Sequence, residues 1–250
     1  METKLRAYSM HRRGRVIILL GPPGSGKGTQ AARLSLALRI PSISTGEILR
    51  REGESGSSLG KAVQSILASG QLVSDDLVNE VVARRLGRED CARGCILDGY
   101  PRTVPQARFV QQLLRNLKMP RPVVFDFDIE PKDVIARLSR RRQCASCGRI
   151  VTVEDGPSAE PVCDRDGSKL VQRTDDNPAT IRERLKLYKQ NAGELTGFYR
   201  NREVYRICAG RTPEQVSDEV LGILGQRASA AVVGSRARGL ARPQYHAQPA

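Results

Sequence analysis

Tryptophan is absent from this 250-residue chain, and four Phe and six Tyr make up all of its aromatic 4%. Histidine is almost absent: the two present, His11 and His246, lie close to the ends. The long stretch between them has none, which excludes His-based acid–base or nucleophilic chemistry there. No apolar run approaches the roughly 20 residues of a membrane-spanning helix. The basic N-terminus is not followed by the apolar stretch of a secretory signal. A cytoplasmic protein with no membrane partner is expected. Acidic residues are scarce as well, 27 against 41 Lys and Arg, for a net charge of +14. Such an excess invites a nucleic-acid reading, but its placement weakens that reading. Residues 1–15 carry Lys4, Arg6, Arg12, Arg13 and Arg15 against Glu2 alone, and 226–250 carry Arg227, Arg236, Arg238 and Arg242 with no acid. These read as two basic, solvated, disordered tails, 1–14 and 226–250, with contact to polyanions as the alternative. No specific nucleic acid is expected. Met10 is an alternative start to Met1.

What is present is more telling. Residues 21–29 read Gly-Pro-Pro-Gly-Ser-Gly-Lys-Gly-Thr, directly after the apolar run Val16-Ile17-Ile18-Leu19-Leu20. A strand, a glycine-rich turn and a helix in that order aim backbone N–H groups and a helix N-terminus at one point, an anion site. The glycines, Gly24, Gly26 and Gly28 among them, permit positive φ and close backbone approach. Lys27 places a charge among phosphate oxygens. The spacing fits the phosphate-binding loop, except that Gly28 follows the lysine and the hydroxyl arrives one residue later, at Thr29.

Strand-like runs recur at 16–20, 95–97 and 122–129, with weaker ones near 41–43 and 204–208. Helix-period segments fall at 29–38, 59–68, 75–87, 103–117, 132–141, 177–191 and 213–224. Ser74 and Thr103 stand at cap positions, and Pro131 and Pro213 at first-turn positions. Alternating strands and helices imply a parallel sheet covered on both faces. Its ligands bind outside the carboxyl ends of the strands. We therefore expect one domain over 15–225, with its core in 15–43, 74–139 and 177–225. The stretches 44–73 and 140–176 break the pattern and read as insertions over the ligand edge.

The second insertion carries Cys144-x-x-Cys147, then fifteen residues, then Cys163-x-x-Asp166. This is two-knuckle zinc spacing with an aspartate in the fourth place, a legitimate zinc ligand. Gly148 and Gly167 follow each pair, where a knuckle must turn. Four ligands close a tetrahedron, so the expected metal is structural. A disulfide is a poor alternative in an intracellular chain, while a nucleic-acid-binding zinc ribbon remains open. That reading needs stacking aromatics or a basic face, and residues 143–172 contain no Phe, Tyr or Trp. Cys91, Cys95 and Cys208 read as core residues.

With these residues in hand the chain, from about Val16 to Leu224, resembles the adenylate kinases, specifically the long bacterial type with a zinc-bearing lid. The loop with Gly28 before Thr29 is similar to that family's own loop. Ser44-Thr45-Gly46-Glu47-Ile48-Leu49-Arg50 resembles its AMP segment, and Leu97-Asp98-Gly99-Tyr100-Pro101-Arg102-Thr103 resembles its signature. Family members often carry Asp at position 47 and Phe at 100. The resemblance implies a P-loop NTPase-like, three-layer α/β fold. Its central parallel five-stranded sheet is flanked by helices, with NMP-binding and lid insertions. It implies ATP + AMP = 2 ADP as the reaction, Mg²⁺ with ATP, structural Zn²⁺, and a monomer whose partners are ATP, AMP and ADP.

Residue by residue, the resemblance assigns ATP to Gly24, Ser25, Gly26, Lys27, Gly28, Thr29, Arg137 and Arg141. It adds lid-strand Ile150 and Val151 beside the base, and Thr212, whose backbone carbonyl reads the adenine. AMP falls to Thr45 and Arg50, to Gln71, Leu72 and Val73 lining the base, to Gly99, Tyr100, Pro101, Arg102 and Gln106, and to Arg173 and Arg184. Catalysis is assigned to Lys27, Arg102, Arg137, Arg141, Arg173 and Arg184, with Asp98 holding a water on Mg²⁺. An aromatic or His is common in the family at position 151, where this chain has Val. Bland readings stand beside these roles: surface solvation for Arg140-Arg141-Arg142, a turn cap for Asp98, a helix N-cap for Thr45, and helix-start acids for Asp175 and Asp176, whose expected role is to pair with lid arginines and help set the hinge geometry. A kinase for another nucleoside monophosphate is the nearest rival; the related UMP/CMP kinases tend to carry Ala where Thr45 stands.

Overall fold

The computed structural model describes residues 14–153, 162–200 and 204–238, with side chains of the last helix as far as residue 225. The N-terminal tail to residue 13 with His11, and residues 239–250 with His246, lie outside the described residues.

Five strands form the central sheet: β1 (Arg15–Leu20), β2 (Ser42–Ser44), β3 (Gly94–Asp98), β4 (Val123–Asp128) and β8 (Val204–Cys208). Their order is β2-β3-β1-β4-β8, and every pairing is parallel. The β1 run is buried on both faces, Ile17, Ile18 and Leu19 being inaccessible to solvent, as expected for a central parallel strand. Each such side chain contributes about 1.5–3 kcal/mol on burial. One face of the sheet packs on α1 (Lys27–Leu38) and α8 (Pro213–Arg238) through Ile17, Leu19, Leu34, Phe125, Val216 and Val220. The other packs on α4 (Asp75–Leu86), α5 (Val104–Asn116) and α7 (Pro178–Tyr199) through Val16, Ile18, Val82, Val110 and Leu195. The three layers follow from the alternation of strands and helices.

The first insertion is a helical pair, α2 (Thr45–Gly53) and α3 (Ser58–Ser69). The second follows α6 (Pro131–Ser139) and is a small antiparallel sheet in the order β6-β5-β7, made of β5 (Arg141–Cys144), β6 (Ile150–Thr152) and β7 (Leu170–Val171).

Several expectations shift. The helix expected over 132–141 stops at Ser139, because Arg141 pairs with Thr152 in the lid sheet. The helix expected to end at 191 continues to Tyr199, whose buried ring anchors it on the core. The last helix runs to Arg238, past the point where the C-terminal tail was expected to begin. The added stretch Arg227 to Arg238 is rich in Ala and Arg, both strong helix formers. Cys91 and Cys95 are core residues, but Cys208 is exposed, because it closes the edge strand. Thr103 caps α5 by accepting from the Gln106 N–H, whereas Ser74 makes no side-chain cap bond.

Candidate active site and metal cluster

All five parallel strands end on one side. Register places Asp98 beside Leu19, Asp126 beside Leu20, and Ser44 beside Asp98. Above these ends opens a cleft of about 1280 Å³. The phosphate-binding loop forms its floor. Gly26, at φ 90°, caps α1 without a side-chain bond, and the helix has no acid in its first turn. The N–H groups and positive dipole end are therefore left for an anion. Gly28 is helical rather than left-handed; an added Cβ there would sit 3.3 Å from the Asp98 carboxylate, so glycine makes room for that acid.

Lys27 folds back on the loop, donating to Gly21 O at 2.8 Å, Pro22 O at 2.6 Å and Ser25 Oγ at 3.2 Å. Burial lowers its pKa to about 8 against the pull of Asp98, with Arg102, Arg184 and Arg141 adding repulsion. Burial raises the Asp98 carboxyl, while Lys27 and Arg102 draw it back down. Burial and the neighbouring guanidiniums lower Arg102 and Arg173. The arginine fork nonetheless stays charged.

Those arginines arrive from separate elements: Arg50 on α2, Arg102 after β3, Arg137 on α6, Arg141 on β5, Arg173 after β7 and Arg184 on α7. Each lines the cleft. Two buried aspartates hold part of the group. Asp176 takes Arg141 bidentately, at 2.7 and 2.5 Å. Asp175 takes Arg184 at 2.9 Å and Arg50 at 3.9 Å. Burial alone would raise Asp175, but Arg184, Arg50, Arg141 and Arg173 outweigh it and hold the group below its ordinary value. Arg173 donates to Gln143 at 2.5 Å. Since α7 follows directly from Asp176, the ion pairs tie the lid base to the core.

A smaller cavity branches off between α2, α3 and the turn after β3. It is lined by Thr45, Arg50, Gln71, Leu72, Val73, Gly99, Arg102, Gln106 and Arg184. Ser44 is the helix cap there, accepting from the Glu47 N–H, so Thr45 is free of that duty. The Thr45 hydroxyl donates to Gly99 O at 3.2 Å. Gln106 accepts from the Arg102 N–H at 2.7 Å and donates to Asp75 at 2.7 Å. Asp75, which the sequence did not single out, thereby orients Gln106; no sequence motif marks it.

Three assigned residues do not line either cavity. Tyr100 is fully buried, its hydroxyl donating to Asn79, so its side chain belongs to the core. Val151 packs on the lid's own apolar cluster with Cys144, Cys163 and Leu170, because alternation along β6 sends only Ile150 and Thr152 to the cleft. Thr212 caps α8: its hydroxyl accepts from the Gln215 N–H and its carbonyl from the Val216 N–H, while its neighbours Arg211 and Pro213 line the cleft. Gly24, Ser25, Thr29 and Pro101 do line it.

In the lid, the Sγ atoms of Cys144, Cys147 and Cys163 and a carboxylate oxygen of Asp166 all lie within 4.8 Å of one another. Cys147 and Cys163 sulfurs are 3.8 Å apart, and Cys144 Sγ is 3.4 Å from Asp166 Oδ1. Two Zn–S bonds at a tetrahedral angle separate their sulfurs by ~3.8 Å, so the donor set fits that ion. Two matching knuckles make it. The N–H of Gly148 bonds Cys144 O at 3.1 Å, and that of Gly167 bonds Cys163 O at 2.8 Å. Both glycines sit near φ 70°, a left-handed turn that a β-carbon disfavours.

The family model for adenylate kinase matches residues 19–204. The chain belongs to the adenylate kinase family. Curated relatives agree with this. An adenylate kinase of Anaeromyxobacter dehalogenans (strain 2CP-C) is 43% identical over 213 residues, covering 84% of this chain and 100% of the relative. One of Trichlorobacter lovleyi is 46% identical over 189 residues, 75% of this chain and 88% of the relative. One of Thermosipho africanus is 40% identical over 210 residues, 83% and 98% respectively. As an adenylate kinase family member, the chain is a nucleoside monophosphate kinase.

Proposed function

We propose that this chain catalyses ATP + AMP = 2 ADP, and so contributes to adenine nucleotide balance. The observation that carries the reading is the convergence of Lys27, Arg50, Arg102, Arg137, Arg141, Arg173 and Arg184 on one cleft, with a side cavity lined by Thr45. ATP occupies the loop side, its phosphates over the α1 N-terminus. AMP enters the side cavity, its base toward Thr45, Gln71, Val73 and Gln106 and its phosphate toward Arg50, Arg102 and Arg184.

The nucleophile is an AMP phosphate oxygen, largely ionised at neutral pH because phosphate monoesters have a second pKa near 6. No general base is needed, which accounts for a core without histidine. The barrier lies in bringing two polyanions together and in the charge of the transferring group, so positioning and electrostatics supply the catalysis. Planar guanidinium forks suit phosphate oxygens. The Arg141–Asp176 pair is poised at the lid base; a phosphate entering the cleft competes with the carboxylate for the same fork and draws the lid down. Closure also excludes water, the competing phosphoryl acceptor. Asp98 would hold a water of the Mg²⁺, which supplies charge neutralisation of the transferring phosphates.

Zinc in the lid is part of the proposal, supported by the donor geometry, with a structural role. Reduced thiolate ligands fit a cytoplasmic protein. A working monomer is part of the proposal. The main test is ADP formation from ATP and AMP by the purified protein, with and without Mg²⁺, run in parallel with GMP, CMP and UMP. Absence of Mg²⁺-dependent turnover, or a preference for a pyrimidine monophosphate, would overturn the reading.

Thr45→Ala is expected to relax acceptor-base choice more than it slows transfer, since Thr45 sits at the base end of the side cavity. Loss of one neutral hydrogen bond is worth about 0.5–1.5 kcal/mol, so the AMP preference should fall roughly 2- to 12-fold. The check is kcat/KM for each monophosphate; unchanged ratios would remove Thr45 from that role.

A further inference from the structure

A buried threonine outside every motif named above joins two of the elements that wall the side cavity. Thr180, in the first turn of α7, is 5% exposed. Its backbone N–H donates to Asn177 Oδ1 at 2.9 Å, and its hydroxyl accepts from Asn177 Nδ2 at 2.8 Å. A hydroxyl has one proton. With the amide donating on one side, that proton goes to Ala68 O, 2.9 Å away on the last turn of α3. That helix ends on a left-handed Gly70, whose N–H bonds Leu67 O, while the Gln71 N–H bonds Ile66 O. Ala68 O is the next carbonyl, one that a helix end leaves without a donor of its own, and Thr180 supplies it.

The contact is close as well as polar. A Cβ added at Gly70 would lie 3.0 Å from Thr180 Cγ2 and 3.1 Å from Thr180 O. One turn further along α7, Glu183 Oε1 accepts from Gln71 Nε2 at 3.2 Å. The end of α3 is thus seated on the start of α7. The two partners supply different walls of one cavity. Residues 70–73, directly after α3, line it from the first insertion, and Arg184 lines it from α7, where Asp175 holds the guanidinium at 2.9 Å. Thr180 itself lines neither cavity. A nucleotide that reaches both walls meets them already assembled. Were the seat loose, binding would first have to order the two sides, a cost that falls on affinity. Once bound, the nucleotide itself bridges them, so the rate at saturation changes less.

We propose that Thr180 is a positioning residue for the acceptor nucleotide: by seating the end of α3 on the first turn of α7, it fixes the span between the wall at 70–73 and Arg184, and so sets the affinity for AMP without touching it. The inference rests on the reading of the side cavity as the AMP site.

The variant Thr180→Val keeps the shape of the side chain and the backbone cap at Asn177 but removes the hydroxyl. Steady-state kinetics give KM for AMP at saturating ATP, KM for ATP at saturating AMP, and kcat, alongside the thermal midpoint. Because a buried carbonyl left without its donor is costly, KM for AMP is expected to rise at least about fivefold. KM for ATP should stay within about twofold of the unaltered protein and kcat within about threefold, the signature of lost uniform binding. Thr180→Ser restores the hydroxyl and should return KM for AMP to within about twofold of the unaltered value. A merely structural threonine would lower the midpoint and leave KM for AMP in place, or raise both KM values alike; either result overturns the inference. So does a serine variant as impaired as the valine one, since the hydroxyl would then not be the group that matters. Should Thr180→Val fold poorly, Thr180→Ala removes the same bond with a better helix former, and the same rise in KM for AMP is expected; an unchanged KM refutes the proposal. If the unaltered protein does not turn over AMP, the reading of the side cavity fails and the inference with it. If AMP is turned over and the variants keep its KM, only the role of Thr180 fails.

Discussion

Lys27→Met is expected to lower kcat by at least about 10³-fold, roughly 4 kcal/mol of barrier, while leaving the thermal midpoint near that of the unaltered protein. Within the loop the ammonium is satisfied by three loop oxygens. It pays for burial there with a pKa lowered to about 8. Methionine fills the same space without a charge to bury, so the fold should not suffer. Turnover should, because Lys27 is the one cation placed within the loop that cradles the phosphates. A variant retaining more than about a tenth of the rate would show that Lys27 is not the phosphate lysine. The same residue gives a pH prediction whose sign is fixed by the downward shift. Free enzyme loses the Lys27 charge as pH rises through about 8, rather than near the ordinary 10.5. kcat/KM for ATP, which reports free-enzyme groups, should therefore decline above pH 8. Folding responds the other way: between 8 and 10.5 the folded chain binds fewer protons than the unfolded one, so this group favours stability as pH rises. A flat kcat/KM profile from pH 7 to 10 would refute the assignment.

Metal removal should have the second large effect, and a local one. The lid's buried apolar cluster among the described residues is Cys144, Cys163 and Leu170, with Val151 and Val153 packed against them, while Ile150, Val162 and Val171 stay exposed. That is too little to order three strands of two to four residues. In such modules metal-binding free energy acts as folding free energy. The purified protein is expected to carry about one zinc per chain, as one tetrahedral set implies. Chelation should expose the lid to proteolysis before any cut appears in the phosphate-binding loop, and should lower Tm by about 5–15 °C, several kcal/mol at ~2–4 °C per kcal/mol for a chain of this size. Because Arg141 and Arg173 are placed by the lid base, kcat should fall in step with lid order. Asp166→Ala should reproduce part of this, leaving three thiolates and an open position. A freshly reduced, fully active preparation without bound metal would refute the structural-zinc proposal.

The most legible features were those whose chemistry is local in the chain. A buried strand, a glycine-rich turn and a lysine at fixed spacing form one anion cradle within fifteen residues, so 16–29 could be read directly. The two cysteine knuckles were legible for the same reason, each closing by bonds across four or five residues. Strand and helix alternation set the three-layer class, since parallel strands need crossover helices. Side-chain direction was less accessible. Ile150 and Val151 are adjacent and both apolar, yet the pleat of β6 sends one to the cleft and the other into the lid. Tyr100 sits inside a signature segment but points into the core. Pairing of Asp175 and Asp176 with lid arginines was expected, but which arginine each takes was not, and the Asp75–Gln106 contact had no signal in the chain at all. Their partners stand 9, 35 and 31 residues apart. The reason is physical: spacing encodes what one turn or one helix can bring together, whereas a pairing across elements exists only after the sheet has closed and its helices have packed.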